Sequence, residues 1–372
     1  MPNPMDFDTL LQALKDTEQM FPPAWLHRLS DLSAEEAQAL AAVWPTLDPA
    51  RRRALVEDMH YLLDASLQLS FKEVGLIALR DEDPYIRHKA IELLWFEEDP
   101  RILPLMLERL REDPEAQVRA TAAAALGDDV YLGEIEELDE ASYRAVVEAL
   151  LEVLRDEHEV PSVRYRALEA VSFSSLTPEV TQWIERIYRD SLETGDEEGL
   201  RAALFAMGRS GAPRWVPYVT LYLHHRDPRI RAEAATAAGR LEMTRAISDL
   251  LHLLEDVHKD VRMAAAWALS ELGGANEGVA RALRKALRRA EDEEEAQIIA
   301  EALDNHEFQT FLVLGDLDLV DMALRAGEMP LLDVHLPDGV DLRRMNGHGE
   351  GEVSTSAKQE DDSSASNDEK AE

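Results

Sequence analysis

The sequence predicts an all-α fold, a right-handed α-solenoid of about seven helical hairpins with helical caps and a disordered C-terminal tail. Three observations carry that prediction. First, a phrase returns along the chain: Asp-Pro-Tyr-Ile-Arg (Asp83 to Arg87), Asp-Pro-Glu-Ala-Gln-Val-Arg (Asp113 to Arg119) and Asp-Pro-Arg-Ile-Arg (Asp227 to Arg231). Second, Arg87, Arg119, Arg164, Arg201, Arg231 and Arg262 are separated by 32, 45, 37, 30 and 31 residues, the spacing of stacked supersecondary units. Third, with the Val or Ile of the phrase as zero, apolar residues recur at +4, +7 and +8, as in Val118, Ala122, Ala125 and Leu126 or Val261, Ala265, Ala268 and Leu269. That spacing is one face of a 3.6-residue helix.

Taken in order, residues 1–47 read as an N-terminal helical cap. Phe7 to Met20 and Ser33 to Val43 are amphipathic, and the capping box Ser33-x-x-Glu36 opens the second. Residues 48–305 form the array, which Asp48-Pro49 with Arg52 and Arg53 begins in degenerate form. One unit shows the plan: Ile102 to Arg111 is a first helix, Asp113-Pro114 a turn with Asp as cap, and Val118 opens the second helix. Gly127, Gly208, Gly239 and Gly273 stand just past the second helices, where a left-handed glycine would end each one. The long step contains an acidic insert at 128–140, with seven carboxylates and no base, expected as a surface loop. The last unit, with Ala296, Ala300 and Leu303, has Gln297 where the arginine should stand, as an atypical capping repeat would. Residues 306–344 read as a C-terminal cap segment, and 345–372 as an acidic tail with too little apolar content to bury.

The Asp-x-x-Val-Arg-x-x-Ala-x-x-Ala-Leu-Gly pattern resembles HEAT repeats, specifically the short bacterial HEAT-like type also found in phycobilin lyases. The resemblance implies an Asp/Arg ladder in which Asp83, Arg87, Asp113, Arg119, Asp227, Arg231 and Arg262 bridge successive turns by charge-assisted hydrogen bonds. It leaves function open, since such repeats serve as scaffolds, assembly factors and a few enzymes.

Charge narrows the partner. With 75 Asp and Glu against 39 Lys and Arg, the net charge is −36, which repels nucleic-acid phosphates and anionic lipid headgroups. The expected partner is a protein or peptide, basic or neutral, with no nucleic acid and no membrane. The absence of cysteine excludes disulfides, thiolate metal sites and thiol nucleophiles. With no basic n-region near the amino terminus and no apolar run approaching about 18 residues, the expectation is a soluble cytoplasmic protein.

No cofactor, metal or catalytic residue is expected. The enzyme alternatives are a bilin or cofactor lyase and, behind it, a metal-dependent hydroxylase of the deoxyhypusine hydroxylase type, whose iron ligands are repeated His-Glu pairs. This chain has His158-Glu159 and His306-Glu307, outside equivalent second-helix positions, whereas an iron site needs several converging ligands. Basic residues gather at Arg281, Arg284, Lys285, Arg288 and Arg289, just ahead of the acids 291–295, where helix dipoles and mutual attraction account for both. The remaining candidate surface is the side of the second helices opposite the core, at +2, +6 and +9. Its ends and middle offer His88, Glu92, Trp95, Tyr165, Glu169, Met263, Trp267 and Ser270, separated by Ala120, Ala124, Ala202, Ala206, Ala232 and Thr236. Aromatic residues there would anchor a bound helix or extended peptide. The expected role is a non-enzymatic scaffold or assembly factor.

Overall fold

The computed structural model describes residues 6–65, 69–272, 274 and 276–314. Gly273, the cap segment past residue 314 and the tail 345–372 lie outside the described residues. Among the described residues the chain forms helices and no strand. After α1 (Phe7–Lys15), α2 (Ala34–Val43) and α3 (Pro49–Ala65) come seven hairpins: α4 (Lys72–Ala78) with α5 (Pro84–Leu94), α6 (Ile102–Glu112) with α7 (Ala116–Glu134), α8 (Glu140–Arg155) with α9 (Pro161–Val171), α10 (Pro178–Thr194) with α11 (Glu197–Arg209), α12 (Val216–Thr220) with α13 (Pro228–Arg240), α14 (Ile247–Leu253) with α15 (Lys259–Leu272), and α16 (Glu277–Leu287) with α17 (Glu293–Leu314). The fold is an α-solenoid. Each second helix packs on the next from α3 to α17, whereas the first helices touch one another extensively only at α2–α4 and α6–α8. The second helices are therefore the closer-packed layer, and their free side is the inner face.

Local sequence explains the hairpins. Asp83 and Asp227 accept hydrogen bonds from the backbone N–H groups of Tyr85 (3.0 Å) and Arg229 (2.8 Å), and Pro84, Pro161 and Pro228 follow the caps, where their missing N–H costs nothing. The Ser33/Glu36 capping box is complete. One continuous core then runs through the array, from Phe7 through Phe71, Ile86, Val118, Val163, Ile230 and Val261 to Ala302.

The ladder arginines are paired, and of the acids expected Asp113 takes its place among them while the others differ. Arg87 donates two bonds of 2.7 Å to Asp113, Arg119 two to Glu159 at 2.8 and 2.7 Å, and Arg231 two to Asp256 at 2.8 and 2.9 Å. Arg52 reaches Asp81 at 2.6 Å and Arg262 reaches Glu295 at 2.8 Å. Each arginine from Arg87 onward also donates to carbonyls of its own turn, as Arg87 does to Asp81 O at 2.9 Å. Asp83 and Asp227, placed in the ladder by sequence, are instead helix caps that pair outward with Arg53 and Arg229. The cap faces its own helix N-terminus, so the preceding arginine meets a residue one or two positions before it, Asp81, Asp113, Glu159 or Asp256, or at α17 Glu295 in the first turn. Asp113 is wholly buried as a side chain; burial raises its pKa, but the Arg87 bonds, the Glu115 backbone N–H and the Arg87 and Arg109 charges together hold it below the usual carboxylate value.

The ladder stops once. Arg164 Nε is buried with no hydrogen-bond partner, and the guanidinium lies 5.7 Å from the Trp183 ring. Where the flanking turns carry Asp113 or Asp256, two residues before the cap or first helical residue, this turn carries Thr194, and the space becomes a recess of 310 Å³ lined by Arg164, Tyr165, Asp190, Thr194 and Asp196. The next helix is also out of the expected register. Its cap is Asp196, so the zero position is Gly199, Leu200 takes the arginine's place, and Arg201 moves to +2. Ala202 and Ala206, expected on the inner face, are fully buried.

Two further expectations are corrected. Gly127, Gly208 and Gly239 lie inside helices without positive φ. All three occupy +9, and a Cβ there would meet the +7 alanine of the next second helix: Ala170 Cα at 3.4 Å, Ala237 Cα at 2.7 Å and Ala268 Cα at 3.0 Å. They permit close approach between layers and do not terminate helices. The insert at 128–140 is not a loop throughout, because α7 continues to Glu134 and Asp139 caps α8. Gly133 lies against Tyr143, whose hydroxyl donates to Glu134, so the added turns of α7 are fastened to α8.

Candidate functional site

With the register settled, three rows face inward from α5, α7, α9, α11, α13 and α15. The +2 row is His88, Ala120, Tyr165, Arg201, Ala232 and Met263; the +6 row is Glu92, Ala124, Glu169, Phe205, Thr236 and Trp267; the +10 row is Phe96, Asp128, Phe173, Arg209, Arg240 and Glu271. Sequence reasoning found part of the first two and missed the third. The signal was available in the helix period, since +10 follows +6 by one turn.

At the amino-terminal end the expected residues hold one another. The His88 ring shares a 2.7 Å hydrogen bond with the Thr121 hydroxyl and lies 3.4 Å from Glu92, which also takes Lys89 Nζ at 2.6 Å. Burial lowers the His88 pKa, so the ring is held neutral. Trp95 packs on the core and donates its indole N–H to Asp128 at 2.7 Å. The free aromatic here is Phe96, 90% exposed.

The centre is built differently. Tyr165 donates to Asp196. Glu169 accepts from Arg166 and lies 3.3 Å from Arg201, whose other terminal nitrogen is 3.6 Å from Glu233. Burial raises the pKa of Glu169, and pushes that of Glu233 up to about 7 against the opposing pull of Arg201 and Arg240. Next to these carboxylates lies an arginine–aromatic cluster. The Arg209 guanidinium stands 4.2 Å from the Phe173 ring centre and 5.7 Å from that of Tyr131, Arg240 stands 5.0 Å from Phe205, and the two phenylalanine rings are 6.0 Å apart. Cations on ring faces within about 6 Å are attracted by the ring quadrupole.

At the far end Trp267 is 40% exposed and donates to Glu271 at 3.1 Å. Met263 is half-buried beside it. Ser270, expected on this face, is wholly buried and accepts from Asn305 at 3.0 Å, because +9 faces the next second helix.

The His-Glu pairs are committed elsewhere. Glu159 receives Arg119, His306 is buried against the Asn276 carbonyl at 3.2 Å, and Glu307 pairs with Arg284. Among the described residues no group of three His, Cys, Asp or Glu could hold a metal ion. The basic helix α16 is paired laterally, Lys285 with Glu255 at 2.5 Å and Arg289 with Glu255 at 3.6 Å; of the acids beyond it, Glu291 and Glu295 pair with Arg262. Among the described residues no helix is long and apolar enough to cross a membrane.

Stacked hairpins with a buried arginine ladder define a helical-repeat protein, and the family model described as HEAT repeats matches residues 73–131, 189–260 and 221–304. No curated protein matches the chain in sequence. Among solved structures, the YibA protein of Escherichia coli is 16% identical with a TM-score of 0.41, covering 78% of this chain and 98% of its own. The complex of CpcE and CpcF of phycocyanin lyase from Nostoc is 19% identical at TM-score 0.42, over 63% of this chain and 94% of that one. Human deoxyhypusine hydroxylase is 20% identical at TM-score 0.31, over 82% and 95% respectively.

Proposed function

We propose that the chain is a non-enzymatic scaffold or assembly factor that holds a protein or peptide, basic or neutral overall, along the inner face of the second helices. One observation carries the reading: this face presents Phe96, Tyr131 and Trp267 to solvent among carboxylates, although a soluble helical array has room to bury such rings. Exposed aromatic groups in an acidic setting suit a partner that brings apolar anchors and positive charge. Within the expected set, the anchoring role falls on Trp267, with Glu92, Glu169 and Met263 beside the path, while Trp95 serves the packing.

The test is quantitative capture of a partner from the native host by the wild type and by Trp267→Ala and Phe96→Ala, each checked for an unchanged melting curve. Each truncation should weaken the partner's affinity by on the order of 2 kcal/mol, as loss of an aromatic anchor does. Added salt should slow association while the truncations act on dissociation. Affinity untouched in the folded double variant would place the interface off this face.

A further inference from the structure

In a chain with 75 acids and 39 bases, a half-buried arginine on the inner face with no direct carboxylate contact stands apart. Arg209 and Arg240 are two such residues, one helix apart on the inner face. Neither forms an ion pair or hydrogen bond among the described residues, and Arg240 Nη1 is buried with no partner at all. Both are half-buried and held against rings, Arg209 on Phe173 and Arg240 on Phe205. They are also close enough to oppose each other: burial first, and then the Arg240 charge, lower the pKa of Arg209. Glu233 and Glu271 attract Arg240 without touching it, and two desolvated like charges side by side remain costly unless an anion lies between them.

We propose that Arg209 and Arg240 bind a single carboxylate of the docked partner, an Asp or Glu side chain set between basic residues of its peptide. The inference rests on the inner-face reading above and specifies the partner's chemistry there. Planar guanidinium groups offer paired N–H donors matched to a carboxylate, and the phenylalanine rings fix the planes so that little freedom is lost on binding. The surroundings set the rest of the pattern. Glu169 on α9 and Glu233 on α13 flank Arg201, and Glu271 stands on α15, so basic residues on either side of the partner's acid would have carboxylates near them. A polyanion such as nucleic acid would gain the two arginines and meet those carboxylates as well, which disfavours it.

The experiment titrates two synthetic peptides, acetyl-Lys-Leu-Glu-Leu-Lys-amide and its Gln-centred counterpart, into the full chain by calorimetry. The Glu-centred peptide should bind roughly tenfold or more tightly than the other, the usual gain of a charge-assisted pair. In Arg209→Gln/Arg240→Gln the preference should vanish, while Arg209→Lys/Arg240→Lys should retain part of it. Equal binding of both peptides to the wild type, or binding of neither, would overturn the anion site. Equal binding that is weakened by Trp267→Ala would do so while leaving the inner-face reading intact. If the glutamine double variant fails to fold, the preference of the wild-type protein and the lysine variant decides.

Discussion

The flanks of the array and its centre solve the same packing problem with different charges. From α3 to α7, and again at α13 and α15, each second helix sends its +1 arginine into the next turn, where a carboxylate receives it. At α9 and α11 that link is missing: Arg164 meets Thr194 in place of an acid, and Leu200 occupies the next +1 position. The arginine of α11 appears at +2, on the inner face, where it joins Glu169 and Glu233. The comparison teaches that ionic side chains in this fold divide by position. Those at +1 fasten one repeat to the next, and those at +2, +6 and +10 lie on the inner face.

That division can be broken by substitution. Arg87→Ala removes two charge-assisted bonds from buried Asp113 and leaves it to Arg109 at 3.1 Å and the Glu115 N–H, and should destabilise the protein by about 1.5–3 kcal/mol in urea denaturation. Gly208→Ala puts a Cβ 2.7 Å from Ala237 Cα and should cost about 1–3 kcal/mol through overpacking, with no positive φ to blame. Glu233 sharpens the contrast by pH. Its folded pKa of about 7 lies above the ordinary value, so between the two the folded state holds more protons. Stability from this group is therefore present at acid pH and lost as pH rises toward and through 7. Glu233→Gln should flatten that slope, worth on the order of 1–3 kcal/mol at this largely buried site. Asp113 and Asp256 act in the opposite window: their pKa values are lowered, so their contribution holds at neutral pH and is lost on acidification. The smallest effect should be Arg164→Ala, below about 1 kcal/mol, since no carboxylate is stranded. A loss as large as that of Arg87→Ala would erase the distinction between flank and centre.

Much of the fold was legible in the sequence because it repeats. The Asp-Pro turns, the +4, +7 and +8 core positions and the hairpin count follow from local rules of capping and helix period. The ladder's acids were harder to identify. A cap aspartate and a ladder aspartate differ by two residues, and only the helix start separates Asp83 from Asp81. The centre failed for a related reason. Gly199 at the zero position is neither Val nor Ile, and nothing in the sequence says that the Tyr165 ring fills the space its missing Cβ leaves. With Leu200 taken as zero, Arg201 looked like a ladder residue, and Phe205 and Arg209 fell off the expected face. The glycines at 127, 208 and 239 read as terminators because sequence shows their place in the unit but not the helix that lies against them.

The most direct test of the inner face as the docking surface is site-specific photocrosslinking. Phe205→benzoylphenylalanine places the probe in the centre of the face, and Leu192→benzoylphenylalanine places it on the exposed side of α10. Partner crosslinked from position 205 and not from 192 is the predicted result. Efficient crosslinking from 192 with none from 205, in folded protein, would contradict the account.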